Sequence, residues 1–123
     1  MHWSDIGYMY MDTDENPKQE ESIRRAIQTK RLEILNGGYV LADYATTTYD
    51  DLINNLQYGR KYLQRKFNVS ASVLWDIDQF GLGVTKSKIG REIGYKNHIF
   101  SRVPSDVLDS LKSSKDLIFK VVF

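Results

Sequence analysis

In the segment Trp75-Asp76-Ile77-Asp78-Gln79-Phe80-Gly81, the apolar run 73–77 gives way to turn residues at Gly81 and Gly83, and an acid, Asp78, stands at the changeover. The run reads as a buried parallel strand ending near Asp78, and α/β folds gather ligands and catalytic groups at the C-terminal ends of such strands. Asp78 is therefore the leading candidate for chemistry. An Asp that merely caps the following loop fits the same position, and spacing does not choose between the two. Arg102 ends a second apolar run, His98-Ile99-Phe100, where a solvated face is less natural, so it could point into the same cleft. Other constellations are weaker. Gly81-Leu82-Gly83 imitates a dinucleotide-binding turn, but the third glycine falls on Lys86. His2 and His98 lie too far apart in sequence to form a metal-binding pair, so these residues alone do not complete a histidine-based metal site. Arg60, Lys61, Arg65 and Lys66 read as the solvated side of a helix.

The elements that would position these groups are legible. Asn16-Pro17 is an N-cap followed by proline at the first helical position, and Ile23, Ala26 and Ile27 then mark one narrow apolar face. Leu32, Ile34 and Leu35 form a short strand, halted by Asn36-Gly37-Gly38, and 39–48 is a loop. Thr48 with Asp51 has the form of a capping box opening a helix over 49–67, whose Leu52, Ile53, Leu56, Leu63 and Phe67 keep to one side. Gly59 in its middle marks either a weak point or a close contact. Thr85 can cap a helix carrying Ile89 and Ile93, Gly94 closes it, and Pro104-Ser105-Asp106 starts another through Leu111. The apolar stretch 117–123 reads as a last strand. Helices alternating with short strands predict an α/β fold with parallel pairing. Four strands ending on the most apolar one read as an unfinished sheet, and a closed β/α barrel needs ~200 residues or more. The 123 residues are thus expected to be one domain or a piece of a larger one.

Composition narrows the function. Seventeen Lys and Arg against sixteen Asp and Glu leave a net charge of +1, so no global positive excess calls for nucleic acid. The absence of cysteine excludes disulfides, thiolate metal sites and a cysteine nucleophile. No apolar run reaches the roughly 18 residues of a membrane span, and the first residues lack a signal-peptide pattern.

Asn36-Gly37-Gly38-Tyr39-Val40-Leu41-Ala42-Asp43 resembles the Gly-Gly-Trp-Val-Met-x-Asp-Glu segment of the glycoside hydrolase family 38 α-mannosidases, and 75–81 resembles their Trp-x-Ile-Asp-Pro-Phe-Gly signature. The two segments have the right order and separation. The resemblance implies a segment of that family's seven-stranded β/α barrel, with 1–123 as a partial catalytic domain. It also implies a zinc-dependent retaining α-mannosidase acting on mannose-containing glycans in a lysosomal or other secretory-pathway compartment. Asp78 would be nucleophile and zinc ligand. Phe80, Arg102 and Asp43 would contact substrate, and the remaining zinc ligands and the general acid would lie outside the chain. The rest of the catalytic domain would then be needed, and the chain alone would be inactive. Departures from the pattern are Gln79 for proline, Leu82-Gly83 for His-Ser, Tyr39 for tryptophan and Thr48 for a frequent histidine; the altered loop after Phe80 and the absent ligands suggest the alternative, a non-catalytic carbohydrate-binding or scaffold remnant. Strand alternation puts Asp76 on the same face as Asp78, and Asp76→Asn is expected to be mild.

Overall fold

A computed structural model describes residues 1–118. In chain order the elements are β1 (His2–Trp3), α1 (Ile6–Asp14), α2 (Pro17–Gln28), β2 (Glu33–Ile34), α3 (Tyr49–Phe67), β3 (Val73–Asp76), α4 (Val84–Glu92), β4 (Asn97–Phe100) and α5 (Ser105–Ser114). Both strand pairings are parallel: His2 and Trp3 lie beside Glu33 and Ile34, while the four residues of β3 pair in register with those of β4, Val73 with Asn97 through Asp76 with Phe100. The predicted α/β class with parallel pairing holds. Among the described residues the strands form two short two-stranded sheets, short of the expected partial barrel. A backbone bond from Asn36 N to Val73 O, 2.7 Å, ties the end of β2 to the start of β3.

The helices stand on caps the sequence announces. The Asn16 side chain accepts from Gln19 N with Pro17 opening α2, and Thr48 Oγ1 accepts from Asp51 N at the head of α3. Asn68, left-handed at φ 56°, closes α3. Leu52, Leu56, Leu63 and Phe67 bury one stripe of α3 against Ile6 and Met9 of α1, Ile23 of α2 and Leu74 of β3 in a single core. Gly59 lies on that stripe because a Cβ there would stand 2.6 Å from Gly38 C and 2.8 Å from Tyr39 N. The glycine is thus a close contact, with the helix lying directly on the 36–39 turn.

Three elements escape the sequence pattern. β1 is only two residues long and exists through its parallel pairing with β2. α1 has no side-chain cap and no acid in its first turn, and its tyrosines and methionines blur the helical period. It is held by tertiary partners, with Ile6 N and Gly7 N donating to Gly38 O and Tyr39 O at 3.1 and 2.7 Å. α4 starts at Val84 after Gly83 rather than after Thr85. Of the expected last strand, Leu117 and Ile118 lie in a bend and the remainder falls outside the described residues.

Candidate functional site

Parallel pairing brings the C-terminal ends of β3 and β4 side by side, so whatever follows Asp76 and Phe100 emerges at one rim. Ser101 N still bonds Asp76 O at 3.3 Å, which carries the register one residue past β4. Beyond it Arg102 donates from Nε to Asp78 Oδ1 at 2.8 Å, with a second donation from its Nη2 to the same oxygen. The guanidinium also stacks over the Phe80 ring, 4.9 Å from Cζ to centroid. Three of the four residues singled out from sequence thus converge. Asp78 keeps 68% of its side chain exposed and Phe80 is 55% exposed, so carboxylate and ring both face outward. Asp78 Oδ2 accepts no bond among the described residues.

Asp43 is near but differently employed. Its loop is pinned to the rim by Tyr44 N donating to Phe80 O at 3.1 Å, and Gly81, at φ +69°, packs on Ala45. Asp43 Oδ1 accepts from Ala45 N at 2.8 Å and Thr46 N at 3.2 Å, which is the local turn chemistry of an Asp. It shapes the loop, and the structure forms no bond between it and Asp78. Gln79 turns inward: it is buried, and its Oε1 has no partner among the described residues.

The expectation that Asp76 and Asp78 share a face does not survive. β3 ends at Asp76, the alternation stops there, and the two carboxylates part: Asp78 faces outward and Asp76 is 0% exposed. Asp76 Oδ1 accepts from Lys86 Nζ at 2.6 Å, and Oδ2 bonds His98 Nε2 at 2.6 Å. Lys86, 3% exposed, also donates to Asn36 Oδ1 at 3.1 Å and stands over the Tyr44 ring at 4.5 Å. His98 Nδ1 meets Ser87 Oγ at 2.7 Å. Burial raises the Asp76 carboxyl, partly offset by the His98 bond, and pushes the Lys86 ammonium down to about 7. An exposed pair such as Asp78–Arg102 is worth ~0–1 kcal/mol, whereas removing one partner of a buried pair costs about 3–5 kcal/mol. The rigid part of the site is therefore the Asp76 cluster. Sequence reasoning passed over it, although Lys86 stands three residues before Ile89 on the buried side of α4 and Asp76 two after buried Leu74.

The other sequence candidates are structural. His2 packs against the Trp75 ring at 5.0 Å. Arg60 leaves the expected solvated face to donate to Ala71 O and Ile93 O at 3.0 and 3.1 Å, and Lys66 pairs with Glu20 at 2.9 Å, while Lys61 and Arg65 are exposed. Among the described residues no three His, Cys, Asp or Glu side chains gather as a metal cluster, and no helix is long and apolar enough to cross a membrane.

Residues 2–120 match the model of the glycosyl hydrolases family 38 N-terminal domain. Alpha-mannosidase D of Dictyostelium discoideum is 34% identical over 119 residues, 96% of this chain and 10% of its own length. Alpha-mannosidase 2 of Rattus norvegicus is 34% identical over 119 residues, 95% of this chain and 10% of its own. The epididymis-specific alpha-mannosidase of Sus scrofa is 30% identical over 90% of the chain and 11% of its own length. The chain spans about a tenth of the length of these relatives.

Proposed function

This chain belongs to the glycosyl hydrolases of family 38, and from that premise we propose that it is a segment of the catalytic domain of a zinc-dependent retaining α-mannosidase, with Asp78 as its nucleophile. The observation that carries the reading is the rim itself: an outward carboxylate at the end of one parallel strand, held by an arginine from the end of the next, above an exposed aromatic ring. In this reading the two strands are part of a β/α barrel completed by the rest of the domain, and mannose-containing glycans are the substrate.

Asp78 attacks the anomeric carbon through a carboxylate oxygen as the glycosidic C–O bond breaks and the leaving oxygen takes a proton from the acid–base carboxylate; the glycosyl ester so formed is then hydrolysed with retention by a water that the same carboxylate deprotonates. Arg102 holds Oδ1 and leaves Oδ2 free to attack. Phe80 offers its ring to the apolar face of a sugar. The acid–base carboxylate that retention requires about 5–5.5 Å from the nucleophile comes from outside this segment. A zinc ion fits the chemistry of Asp78, whose carboxylate is an accepted zinc donor, although these residues supply only that one ligand. Zinc would organise the sugar hydroxyls around the reacting carbon.

The test uses the longer protein that contains this segment together with the remainder of the catalytic domain. A fluorinated mannosyl trapping reagent followed by peptide mapping should place the covalent label on Asp78, and Asp78→Asn should lower kcat by several orders of magnitude. A label on another residue overturns the assignment. No label and no zinc-dependent turnover would point to the carbohydrate-binding or scaffold remnant. The 123-residue chain alone should leave an aryl α-mannoside intact, because it lacks the general acid and the other ligands.

A further inference from the structure

The Asp78–Arg102 pair is exposed on both sides, and an exposed pair is too weak to hold two strand ends in register by itself. The β3–β4 ladder, ending at Ser101 N to Asp76 O, sets the spacing of the two backbones, and it stops short of the residues that carry the pair, so their placement also depends on what fixes the side chains at the ladder's end. Two residues upstream the chain is locked. Asp76 is fully buried, and each of its carboxylate oxygens is bound by a different element, Oδ1 by Lys86 of α4 and Oδ2 by His98 of β4. Lys86 extends the lock in two more directions, to Asn36 at the end of β2 and to the face of Tyr44. Tyr44 in turn donates its backbone N–H to Phe80 O. Every segment that delivers a rim residue is thereby fastened to one ammonium group: the strand leading to Asp78 and Phe80, the strand leading to Arg102 through His98 and Asp76, and the loop bearing Asp43.

We infer that Lys86 is a positioning residue for the rim, fixing where Asp78 stands relative to Arg102 and Phe80. Its catalytic consequence rests on the reading of Asp78 as nucleophile; its geometric content does not. Lys86 touches none of the rim side chains. It acts through Asp76, His98 and Tyr44, and a lysine suits this because one Nζ supplies three donor directions, here spent on a carboxylate, an amide oxygen and a ring face. The arrangement is also specific in sign. An acid at 76 without a base at 86 would leave a buried charge with His98 alone, and a base at 86 without the acid would leave a buried ammonium facing only an amide and a ring.

The test reads geometry without catalysis. In the 15N-labelled 123-residue chain, the Arg102 Nε–Hε signal reports the bond to Asp78. Lys86→Met should move it toward the position of a free arginine and raise its solvent-exchange rate by about tenfold, as expected when local opening becomes easier. Thr13→Val, which removes a buried hydroxyl at the α1–α3 contact and loosens the chain elsewhere, should leave the signal in place. If Lys86→Met does not fold, the double variant Asp76→Asn with Lys86→Met removes both charges, and in the folded double variant the Arg102 signal should still be displaced. An unmoved signal in either folded Lys86 variant overturns the inference, and so does an equal displacement by Thr13→Val, which would mean general loosening rather than positioning. Because no turnover is measured, a failure here is distinguishable from a failure of Asp78 to carry the mannosyl label.

Discussion

Replacing Gly59 with alanine sets two known effects against each other. Gly59 is in the middle of α3, where alanine is favoured over glycine by ~1 kcal/mol on helix propensity alone. The added Cβ would lie 2.6 Å from Gly38 C and 2.8 Å from Tyr39 N, with Gly37 O nearer still. All three are backbone atoms, so no side-chain rotation relieves the contact. The turn is also fastened to the helix one turn earlier: Tyr39 N donates to Asn55 O at 3.0 Å, Val40 N to Asn55 Oδ1 at 2.9 Å, and Asn55 Nδ2 to Val40 O at 2.9 Å. Relief therefore requires the turn to lift and those bonds to stretch. Overpacking of this kind costs ~1–3 kcal/mol or more, and with an immovable backbone on both sides the upper end applies. The net expectation is a loss of ~2 kcal/mol after the propensity gain, or about 5–10 °C in Tm for a chain of this size. Thermal and urea unfolding followed by circular dichroism measure it. Gly83→Ser is the control, since nothing lies within 4 Å of a Cβ at Gly83 and the N-cap of α4 lacks a side-chain bond, so serine should add a few tenths of a kcal/mol. A Gly59→Ala chain as stable as the parent, or more so, would refute the account of α3 seated on the turn.

Asp76→Asn should cost about 3 kcal/mol or more, because it leaves Lys86 buried against an amide; a urea midpoint equal to the parent's would contradict the buried pair. Stability should rise with pH between about 7 and 9, since the unfolded chain holds the Lys86 proton to about 10.4 while the native chain releases it from about 7. Native protons are then the fewer, and the sign is positive. Urea midpoints at pH 7 and 9 that are equal or falling would count against it, and Lys86→Met should flatten the rise. Thr48→Ala should cost about 1 kcal/mol through loss of the cap on Asp51 N, read as a lower Tm with an unchanged fold.

How much of this was legible in the chain can be judged residue by residue. α2 and α3 were plain because their caps are local: Asn16 with Pro17, and Thr48 with Asp51, act within four residues of themselves. The rim trio was legible by a different route, since motif resemblance pointed to Asp78, Phe80 and Arg102 and the parallel register of β3 with β4 then brought them together. α1 was hidden because its stability comes from Gly38 O, Tyr39 O and the core rather than from its own caps or period.

By itself the sequence determined the locally capped helices α2 and α3, the α/β class, the family and the residues that reach the rim, because caps, apolar periods and motif order are properties of neighbours in the chain. Only the tertiary structure decided that Asp76 and Asp78 have opposite fates. That outcome depends on β3 stopping at Asp76 and on Lys86 and His98 meeting one carboxylate, with Asn36, distant in sequence, accepting from the same lysine. Burial and charge pairing are sums over residues brought together by the fold, so a pattern of spacing could name the acids but could not say which one would be enclosed.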